Sequence, residues 1–357
     1  MGARATEPVV PGLGVVPGLS VVTVCMNRRD HLLRSAAALS RWPYHQEHLI
    51  VDWSSTEPLR RDDLPADPRL RLLRVEGECR WNLCRAYNFA IARARGSLLL
   101  KLDADCWPSE RFDPAAAGLR VALEAADPAL SEGARSILCA LGSGPEGRKG
   151  QVLIARSLLA AVGGYNEVLV GYGFDDKDLA ARLVQRLGQQ PARIPADWLE
   201  VIPHSDQERA EQAAAAGWFG LRRSQGFAAM RASRLANRLL AAQHPWGRRS
   251  RASRYLEQAP GLWRLQPGSL PQPSPALQEE VEHARRMTFW GTFLAIPEVF
   301  LEQMPYPLVP PARGGAWPVH WWHRLYWLSG RQLLHLPVLA LALVREALQW
   351  ARRRPRG

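Results

Sequence analysis

The chain has 357 residues, of which 47% are hydrophobic and 22% are charged, and this is enough apolar material for a packed core. The composition excludes a chain that is mainly disordered. The 46 Lys and Arg residues outnumber the 34 Asp and Glu residues by 12, a balance compatible with nucleic acid or an anionic membrane as partner. Because the cations are dispersed and nearly all are Arg, we attribute the excess to compositional bias and expect no nucleic-acid partner.

Cysteine usage and hydropathy predict a cytoplasmic protein. The five cysteines include no CxxC pair, which favours reduced thiols over a disulfide framework. The first 20 residues contain three prolines and no basic start followed by an apolar helix, so they do not resemble a signal peptide. The longest apolar stretch, residues 333–344, is interrupted by His335 and Pro337 and is shorter than the roughly 20 residues that span a bilayer.

Apolar runs alternate with helical patterns from residue 20 to about 206. Four β-branched or Leu-rich runs are typical of strands: residues 20–25, 48–52, 70–75 and 97–102. Between them, residues 29–39 and 83–94 have apolar residues at helical spacing. This order predicts an α/β fold with a mostly parallel, Rossmann-like sheet flanked by helices.

The remainder of the chain differs in composition. Residues 207–277 are rich in Ala, Arg and Gln, which favours exposed helices followed by a Pro-rich linker at 260–275. From residue 279 onward Trp and Pro dominate, and this part is predicted to be an extension with a helical element. The chain is predicted to have four parts. These are an N-terminal extension (1–18), a core domain (19–210), a helical and linker segment (211–278) and a C-terminal subdomain (279–357).

Two carboxylates directly follow the fourth predicted strand. Asp103 and Asp105 form an Asp-x-Asp sequence at the carboxyl end of an apolar strand, where open α/β sheets bind their ligands. One carboxylate can hold a hard divalent cation while the other bonds a ribose hydroxyl or a metal-bound water. Two Asp residues in a loop can also serve turn formation alone.

Polar residues at the ends of two other apolar runs are suited to the same site. Asp52 ends the second predicted strand and could accept a proton from a uracil or bind a ribose, or simply form a turn. His204 follows a short apolar run and is a candidate partner of Asp105 in holding Mn²⁺. A single histidine can equally be structural.

A glycine-rich loop precedes three acids at the start of a predicted helix. Gly171 and Gly173 allow the backbone to lie close to a sugar, and Asp175, Asp176 and Asp178 follow in the first helical turn. An Asp at this position can act as a general base toward a substrate hydroxyl. Acids in a first helical turn also suit the helix dipole without any catalytic role.

In this order, these motifs resemble those of the GT-A nucleotide-sugar glycosyltransferases. They are most similar to the family-2-like group whose C-terminal half matches animal galactosyltransferases and bacterial chondroitin polymerases. The resemblance covers about residues 19–210. It rests on Asp52, Asp103-Ala-Asp105, Gly163-Gly-Tyr-Asn-Glu167, Gly171-Tyr-Gly-Phe-Asp175-Asp176 and Ile202-Pro-His204.

The resemblance implies roles for individual residues. The loop of that group usually reads Gly-Trp-Gly-Gly-Glu-Asp with its second acid as catalytic base, which implies this role for Asp176. It implies Asp105 and His204 as ligands of Mn²⁺ or Mg²⁺. The donor and acceptor contacts implied by the same resemblance are Asp52, Arg85, Asn88, Asp103, Glu167, Gly173, Asp175 and Asp178.

The chain departs from that pattern at three positions. Val201 stands where galactosyltransferases have a Met as a further metal ligand. Tyr87 replaces the Arg expected before Asn88, and Arg85, one helical turn earlier, is a candidate substitute. Phe174 stands in place of a Gly and is expected to narrow the loop near the donor sugar.

The implied reaction is an inverting displacement. A hexose or N-acetylhexosamine would pass from a UDP-sugar to a hydroxyl of a glycan, a lipid-linked or a protein acceptor, with Asp176 removing the proton. Peripheral contact with an anionic membrane through the Trp-rich and basic C-terminus is compatible with the sequence. The alternatives are a nucleotidyltransferase of similar fold and a non-catalytic basic protein that binds a membrane surface or nucleic acid.

Overall fold

The computed structural model describes residues 16–123, 135–203 and 222–293, together with the single positions 340, 344, 347 and 348. The strands are β1 (Leu19–Cys25), β2 (Glu47–Trp53), β3 (Leu70–Glu76), β4 (Leu98–Asp103), β5 (Cys106–Pro108), β6 (Arg120–Ala122), β7 (Ser136–Gly142), β8 (Val152–Ala155), β9 (Ala192–Ile194), β10 (Leu199–Val201), β11 (Tyr255–Ala259) and β12 (Leu262–Leu265). The helices are α1 (Arg29–Arg41), α2 (Leu83–Arg93), α3 (Arg156–Ala161), α4 (Asp175–Leu187), α5 (Arg222–Gln243) and α6 (Pro275–Phe293).

One large sheet organises these elements. Its strand order is β11-β12-β3-β2-β1-β4-β8-β7-β6, and β9 pairs with β7. The strands from β12 to β4 run parallel, whereas β8, β7 and β6 continue the sheet through antiparallel pairs. The predicted α/β class, the four predicted strands and the two predicted helices between them are therefore confirmed.

Alternation of side chains along the central strands creates a core on each face of the sheet. Every residue of β1 is buried, as expected for a β-branched strand covered on both faces. Val22 and Val24 belong to the core beneath α2 and α4, whereas Leu19 and Val21 belong to the core on the opposite face. The same alternation places Leu99 on the α2 face of β4. Lys101 and Asp103 follow Leu99 on that face.

The segment after residue 210 is more closely integrated than its composition suggests. Helix α5 buries apolar residues from Ala228 to Leu240, so the expectation of exposed helices is wrong for residues 222–243. The hairpin β11–β12 extends into the first part of the predicted linker, and β12 pairs in parallel with β3. The sheet therefore crosses the predicted boundary at residue 210, because the free edge of β3 gives the hairpin backbone partners.

The structure describes little of the two ends of the chain. Residues 1–15 of the predicted N-terminal extension lie outside the described residues. So does nearly all of the Trp-rich part beyond 293, including the expected membrane-contacting element. No helix within the described ranges has both the length and the hydropathy needed to cross a bilayer.

Candidate active site

Asp103, at the carboxyl end of β4, is held by several donors. Its Oδ1 accepts hydrogen bonds from Lys101 Nζ at 2.7 Å and from the Tyr87 hydroxyl at 3.2 Å. Its Oδ2 accepts from Gln151 Nε2 at 2.8 Å, and its backbone N–H donates to Gln151 Oε1 at 2.9 Å. About a third of the side chain remains exposed (31%). Asp103 is therefore oriented rigidly and still borders solvent.

Two carboxylates and an ammonium group meet at Gly150, in the loop before β8. A Cβ atom built on Gly150 would lie 3.1 Å from Asp103 Oδ2, 3.4 Å from Asp176 Oδ2 and 3.5 Å from Lys101 Nζ. Lys101 Nζ also donates to the Gly150 carbonyl at 2.8 Å. The absence of a side chain at Gly150 thus leaves room for the three charged groups. The sequence predicted Asp103 and Asp176 as site residues, and the structure brings them together here.

Asp175 and Asp176 are the first two residues of α4, where the helix dipole favours negative charge. Burial, the neighbouring Asp175 charge and the Asp103 charge raise the pKa of Asp176 to about 8, although the Lys101 ammonium opposes this shift. Burial also raises the pKa of Asp175. Asp176 Oδ1 is buried and has no hydrogen-bond partner within the described residues. This carboxyl group can therefore accept a proton from a bound molecule.

The residue before these two acids has an unusual backbone. Phe174 has a φ of +77°, a left-handed conformation that costs a residue with a side chain about 1 kcal/mol or more. Its ring is buried, and its carbonyl accepts the Asp178 N–H at 2.9 Å at the start of α4. Burial of the ring offsets a backbone conformation that Gly would adopt without strain.

The glycine-rich loop before α4 is attached to α5 through two side chains. Ser233 Oγ accepts from Tyr172 N at 2.7 Å and donates to the Val170 carbonyl at 3.0 Å. Asn237 Oδ1 accepts from Val170 N at 3.0 Å, and its Nδ2 donates to the Gly173 carbonyl at 2.8 Å. Ser233 and Asn237 are four residues apart and share one face of α5. Helix α5 therefore fixes the backbone that leads to Asp176.

Asn88 and Glu167 form their hydrogen bonds with other groups of the protein. Asn88 Nδ2 donates to Glu167 Oε1 and to the Tyr165 carbonyl, both at 2.8 Å, and Asn88 Oδ1 accepts from Tyr165 N at 2.8 Å. Glu167 Oε2 accepts from Ser253 N at 2.7 Å and from Ser253 Oγ at 2.6 Å. Glu167 is only 3% exposed, and burial raises its pKa. Both carboxylate oxygens of Glu167 are thus occupied by protein donors.

Arg85 is likewise committed to a protein partner. Its Nε and Nη2 donate to the two carboxylate oxygens of Glu78 at 3.1 and 2.6 Å. The Tyr255 hydroxyl, from the hairpin, donates to Glu78 Oε1 at 2.6 Å. The expectation that Arg85 replaces a substrate-binding arginine is therefore not supported by its contacts, because Glu78 engages the guanidinium through two bonds.

Asp52 is also engaged within the protein. It is fully buried, its oxygens accept from Ser55 N and Leu59 N at 3.0 Å each, and it pairs with Arg74. Its contacts are those of the turn-forming alternative, since no part of the carboxylate is exposed to a ligand.

Asp178 has a comparable structural partner. Its Oδ2 accepts from Arg182 Nε and Nη2 at 3.0 and 2.7 Å, and Arg182 Nη1 continues to the carbonyls of Val162 and Gly164. Asp178 thereby ties α4 to the loop that precedes it. In this structure Arg182 therefore engages Oδ2 of the carboxylate for which the sequence predicted a sugar contact.

The predicted metal ligands are only partly described. Asp105 is partly exposed, and its carbonyl accepts from Ile202 N at 2.9 Å, which holds the end of β10 beside the Asp-x-Asp loop. His204, two positions after Ile202, lies outside the described residues. No group of three or more His, Cys, Asp or Glu side chains within the described ranges could hold a metal.

The charge balance of this region nevertheless favours a cation, although Asp103, Asp175 and Asp176 do not by themselves form a metal site. Asp103, Asp175 and Asp176 face one ammonium group, that of Lys101, so ionisation of all three would leave two negative charges. Carboxylate oxygens are the donors that Mg²⁺ and Mn²⁺ prefer. The unpartnered Asp176 Oδ1 adds a further acceptor at the same place.

Several residues of this region were not predicted from the sequence. Lys101 has a visible signal, a charged residue within the otherwise apolar run of residues 98–102. Gln151, Ser233, Asn237 and Ser253 have none, since polar residues of these types are common on helices and in loops.

Comparison with known proteins identifies the first part of the chain. Residues 20–118 match the model of "Glycosyl transferase family 2". This segment is therefore similar to family 2 glycosyltransferases. The chain has the GT-A fold that its motifs predicted. The matched segment includes Asp103 and Asp105 and ends before α4, so Asp176 lies beyond it. No curated protein sequence matches the chain.

Three solved structures with similar folds are only distantly related to the chain. A mannosyltransferase from Pyrobaculum calidifontis in complex with GDP-Man and Mn²⁺ is 17% identical, with 97% of this chain and 86% of that chain covered and a TM-score of 0.38. Drosophila β1,4-galactosyltransferase 7 with xylobiose is 15% identical, with coverages of 70% and 93% and a TM-score of 0.38. Glucosyl-3-phosphoglycerate synthase from Mycobacterium tuberculosis with Mn²⁺, UDP and glucosyl-3-phosphoglycerate is 17% identical, with coverages of 67% and 85% and a TM-score of 0.41. Similarities this low transfer no substrate or metal to this chain.

Proposed function

We propose that the protein is a metal-dependent inverting glycosyltransferase that moves a hexose or N-acetylhexosamine from a UDP-sugar to a hydroxyl group. The acceptor class is a glycan, a lipid-linked sugar or a protein. The observation that carries the proposal is the Asp176 carboxyl, which lies beside Asp103 at the end of β4 with one buried oxygen unpartnered within the described residues.

In this proposal Asp105 and His204 hold Mn²⁺ or Mg²⁺, and Asp103 lies toward the ribose and the metal-bound waters. The cation would neutralise the diphosphate as it leaves. Asp103 is suited to an orienting role because three donors fix its carboxylate. The hydrogen bond between Asp105 O and Ile202 N supports the pairing with His204, since it brings that segment to the Asp-x-Asp loop.

Asp176 is the proposed general base. It would accept the proton of the acceptor hydroxyl as that oxygen attacks the sugar on the face opposite the diphosphate, and the anomeric configuration would invert. A pKa raised to about 8 lies close to the operating pH, where general bases work best. Asp175 and the Gly173 backbone are proposed to contact the sugars.

The remaining predicted contact residues are reassigned in this proposal. Asp52, Asn88, Glu167 and Asp178 shape the loops around the site, because their polar atoms are used by protein partners. Arg85 anchors Glu78 in the same way. Their substitution should change stability more than substrate specificity.

The two alternatives receive less support. A nucleotidyltransferase would also use carboxylates at strand ends, but the family 2 match at residues 20–118 favours glycosyl transfer. A purely basic binding protein would not require a cluster of carboxylates around a buried lysine.

The test combines binding and turnover. UDP is titrated calorimetrically into the full chain with Mn²⁺ and again with EDTA, and UDP release is measured from a panel of UDP-sugars with and without simple glycoside acceptors. Metal-dependent UDP binding that is lost in Asp105→Asn, together with UDP release, supports the proposal. If UDP does not bind under either condition and no UDP-sugar is turned over, the proposal is refuted.

A further inference from the structure

Lys101 is unusual within this chain. It is one of three lysines among 46 cationic residues, and the other two, Lys149 and Lys177, are exposed. It lies in β4, where its side chain is 3% exposed. A buried charge requires paired groups around it to offset its desolvation, so the surroundings of Lys101 define what its charge does.

Groups from four elements face the Lys101 ammonium. Asp103 on β4 and the Gly150 carbonyl before β8 accept its hydrogen bonds at 2.7 and 2.8 Å. The ring of Tyr87 on α2 lies 4.5 Å from Nζ, a cation–π distance. Asp175 and Asp176 on α4 add the charges of two further carboxylates. Lys101 is thus the cation around which the carboxylates of β4 and α4 are arranged.

On the basis of the proposed function, we propose that Lys101 is a positioning residue for glycosyl transfer: its ammonium fixes Asp103 and holds Asp176 near it across Gly150. Without this charge the carboxylates repel one another, and Asp176 loses its alignment with the acceptor. The loss of one positive charge also strengthens the attraction of the site for a divalent cation. A variant without the ammonium should therefore bind Mn²⁺ more tightly and transfer sugar more slowly.

The surroundings also explain why an arginine does not replace this lysine in an Arg-rich chain. The ammonium is a compact charge that donates in several directions, whereas a guanidinium is planar and larger. Asp103, the Gly150 carbonyl and the Tyr87 ring enclose Nζ closely. An arginine would keep the charge but displace the Asp103 carboxylate.

The experiment compares Lys101→Met, Lys101→Arg and the control Lys177→Met, which removes the same charge from an exposed side chain next to Asp176. Mn²⁺ binding without nucleotide is measured by electron paramagnetic resonance of the free ion, and kcat and KM are measured for the UDP-sugar that the wild type uses. For Lys101→Met we expect roughly tenfold tighter Mn²⁺ binding and a kcat about 10²-fold lower with little change in KM. For Lys101→Arg we expect Mn²⁺ binding within about twofold of the wild type but a similar loss in kcat.

A role in folding alone would lower the melting temperature without producing this split between metal binding and turnover. Unchanged or weaker Mn²⁺ binding in Lys101→Met, or full turnover in Lys101→Arg, would overturn the proposal. If Lys101→Met does not fold, Lys101→Gln takes its place with the same expectations. A wild type that neither binds Mn²⁺ nor uses a UDP-sugar overturns the proposed function and the Lys101 role together, whereas an active wild type with an equally active Lys101→Met overturns only the latter.

Discussion

Two groups of carboxylates in this glycosyltransferase fold have opposite surroundings. The reactive cluster, Asp103, Asp175 and Asp176, faces one ammonium and leaves a buried oxygen without a partner in the described part of the chain. The anchoring pair, Glu78 and Glu167, is surrounded by donors from α2 and from the segment 253–255. A carboxylate whose partners are complete contributes to stability, and one whose partners are missing can accept a proton or a cation from outside.

Of the variants that test the reactive cluster, Asp176→Asn should have the largest effect on turnover. Because the amide cannot accept the acceptor proton, we expect kcat to fall by about 10²–10⁴-fold, while UDP binding persists. The melting temperature should change little, since a carboxyl with a pKa of about 8 is mostly uncharged at neutral pH and the amide matches it in size. Steady-state kinetics and thermal unfolding measure the two effects. Asp197→Asn, in an exposed pair with Arg111, serves as the control, and equal activity of Asp176→Asn and the wild type would remove Asp176 from the mechanism.

Two buried histidines should make the stability of the protein depend on pH. Burial lowers the pKa of His45 to about 4 and that of His48 to about 3, so the unfolded chain binds protons below about pH 6.5 that the folded chain does not. Stability should therefore fall by about 2 kcal/mol per histidine between pH 7 and pH 5. His45→Phe should remove about half of this loss, since neither His45 ring nitrogen has a hydrogen-bond partner in the described residues. Urea unfolding at the two pH values measures it, and an unchanged pH dependence in the variant would contradict the assignment.

Glu167→Ala tests the anchoring pair. The substitution leaves the Ser253 N–H and hydroxyl without their acceptor, and a buried donor left unsatisfied costs about 1–3 kcal/mol. We expect a lower free energy of unfolding with KM for the donor within about twofold of the wild type, measured by denaturant titration and kinetics. The exposed Glu110→Ala is the control. A large rise in KM without loss of stability would return Glu167 to the substrate site.

Gly150→Ala tests the reactive cluster by adding a single methyl group. The added methyl would lie 3.1 Å from Asp103 Oδ2, so this carboxylate must shift by a few tenths of an ångström. Asp176 Oδ2 and Lys101 Nζ, at 3.4 and 3.5 Å, would be in ordinary van der Waals contact with it. We expect kcat to fall about tenfold because alignment is lost, with little change in melting temperature. Gly118→Ala, where a Cβ meets nothing within 4 Å, should leave kcat unchanged. Full activity of Gly150→Ala would show that this convergence is not needed for turnover.

Particular residues show how far the sequence could lead. Asp103 and Asp176 were predicted because a carboxylate after an apolar strand and an acid at a helix start each have a local signature. Asp52 has the same local signature as Asp103, yet it is enclosed by Arg74 and the N–H groups of its loop. One of these partners, Arg74, is 22 residues further along the chain, so a local pattern could not reveal the ion pair.

The sequence by itself determined the α/β class, the positions of β1 to β4 and the resemblance to the GT-A fold, because strand and helix periodicities and strand-end motifs are local properties. The tertiary structure decided which carboxylates have a full set of hydrogen-bond donors around them. It paired the hairpin β11–β12 with β3, placed Ser253 against Glu167, and brought Lys101, Gly150 and α4 together. The physical reason is that the charge state of a buried group depends on every atom within a few ångströms, and the fold alone determines which atoms those are.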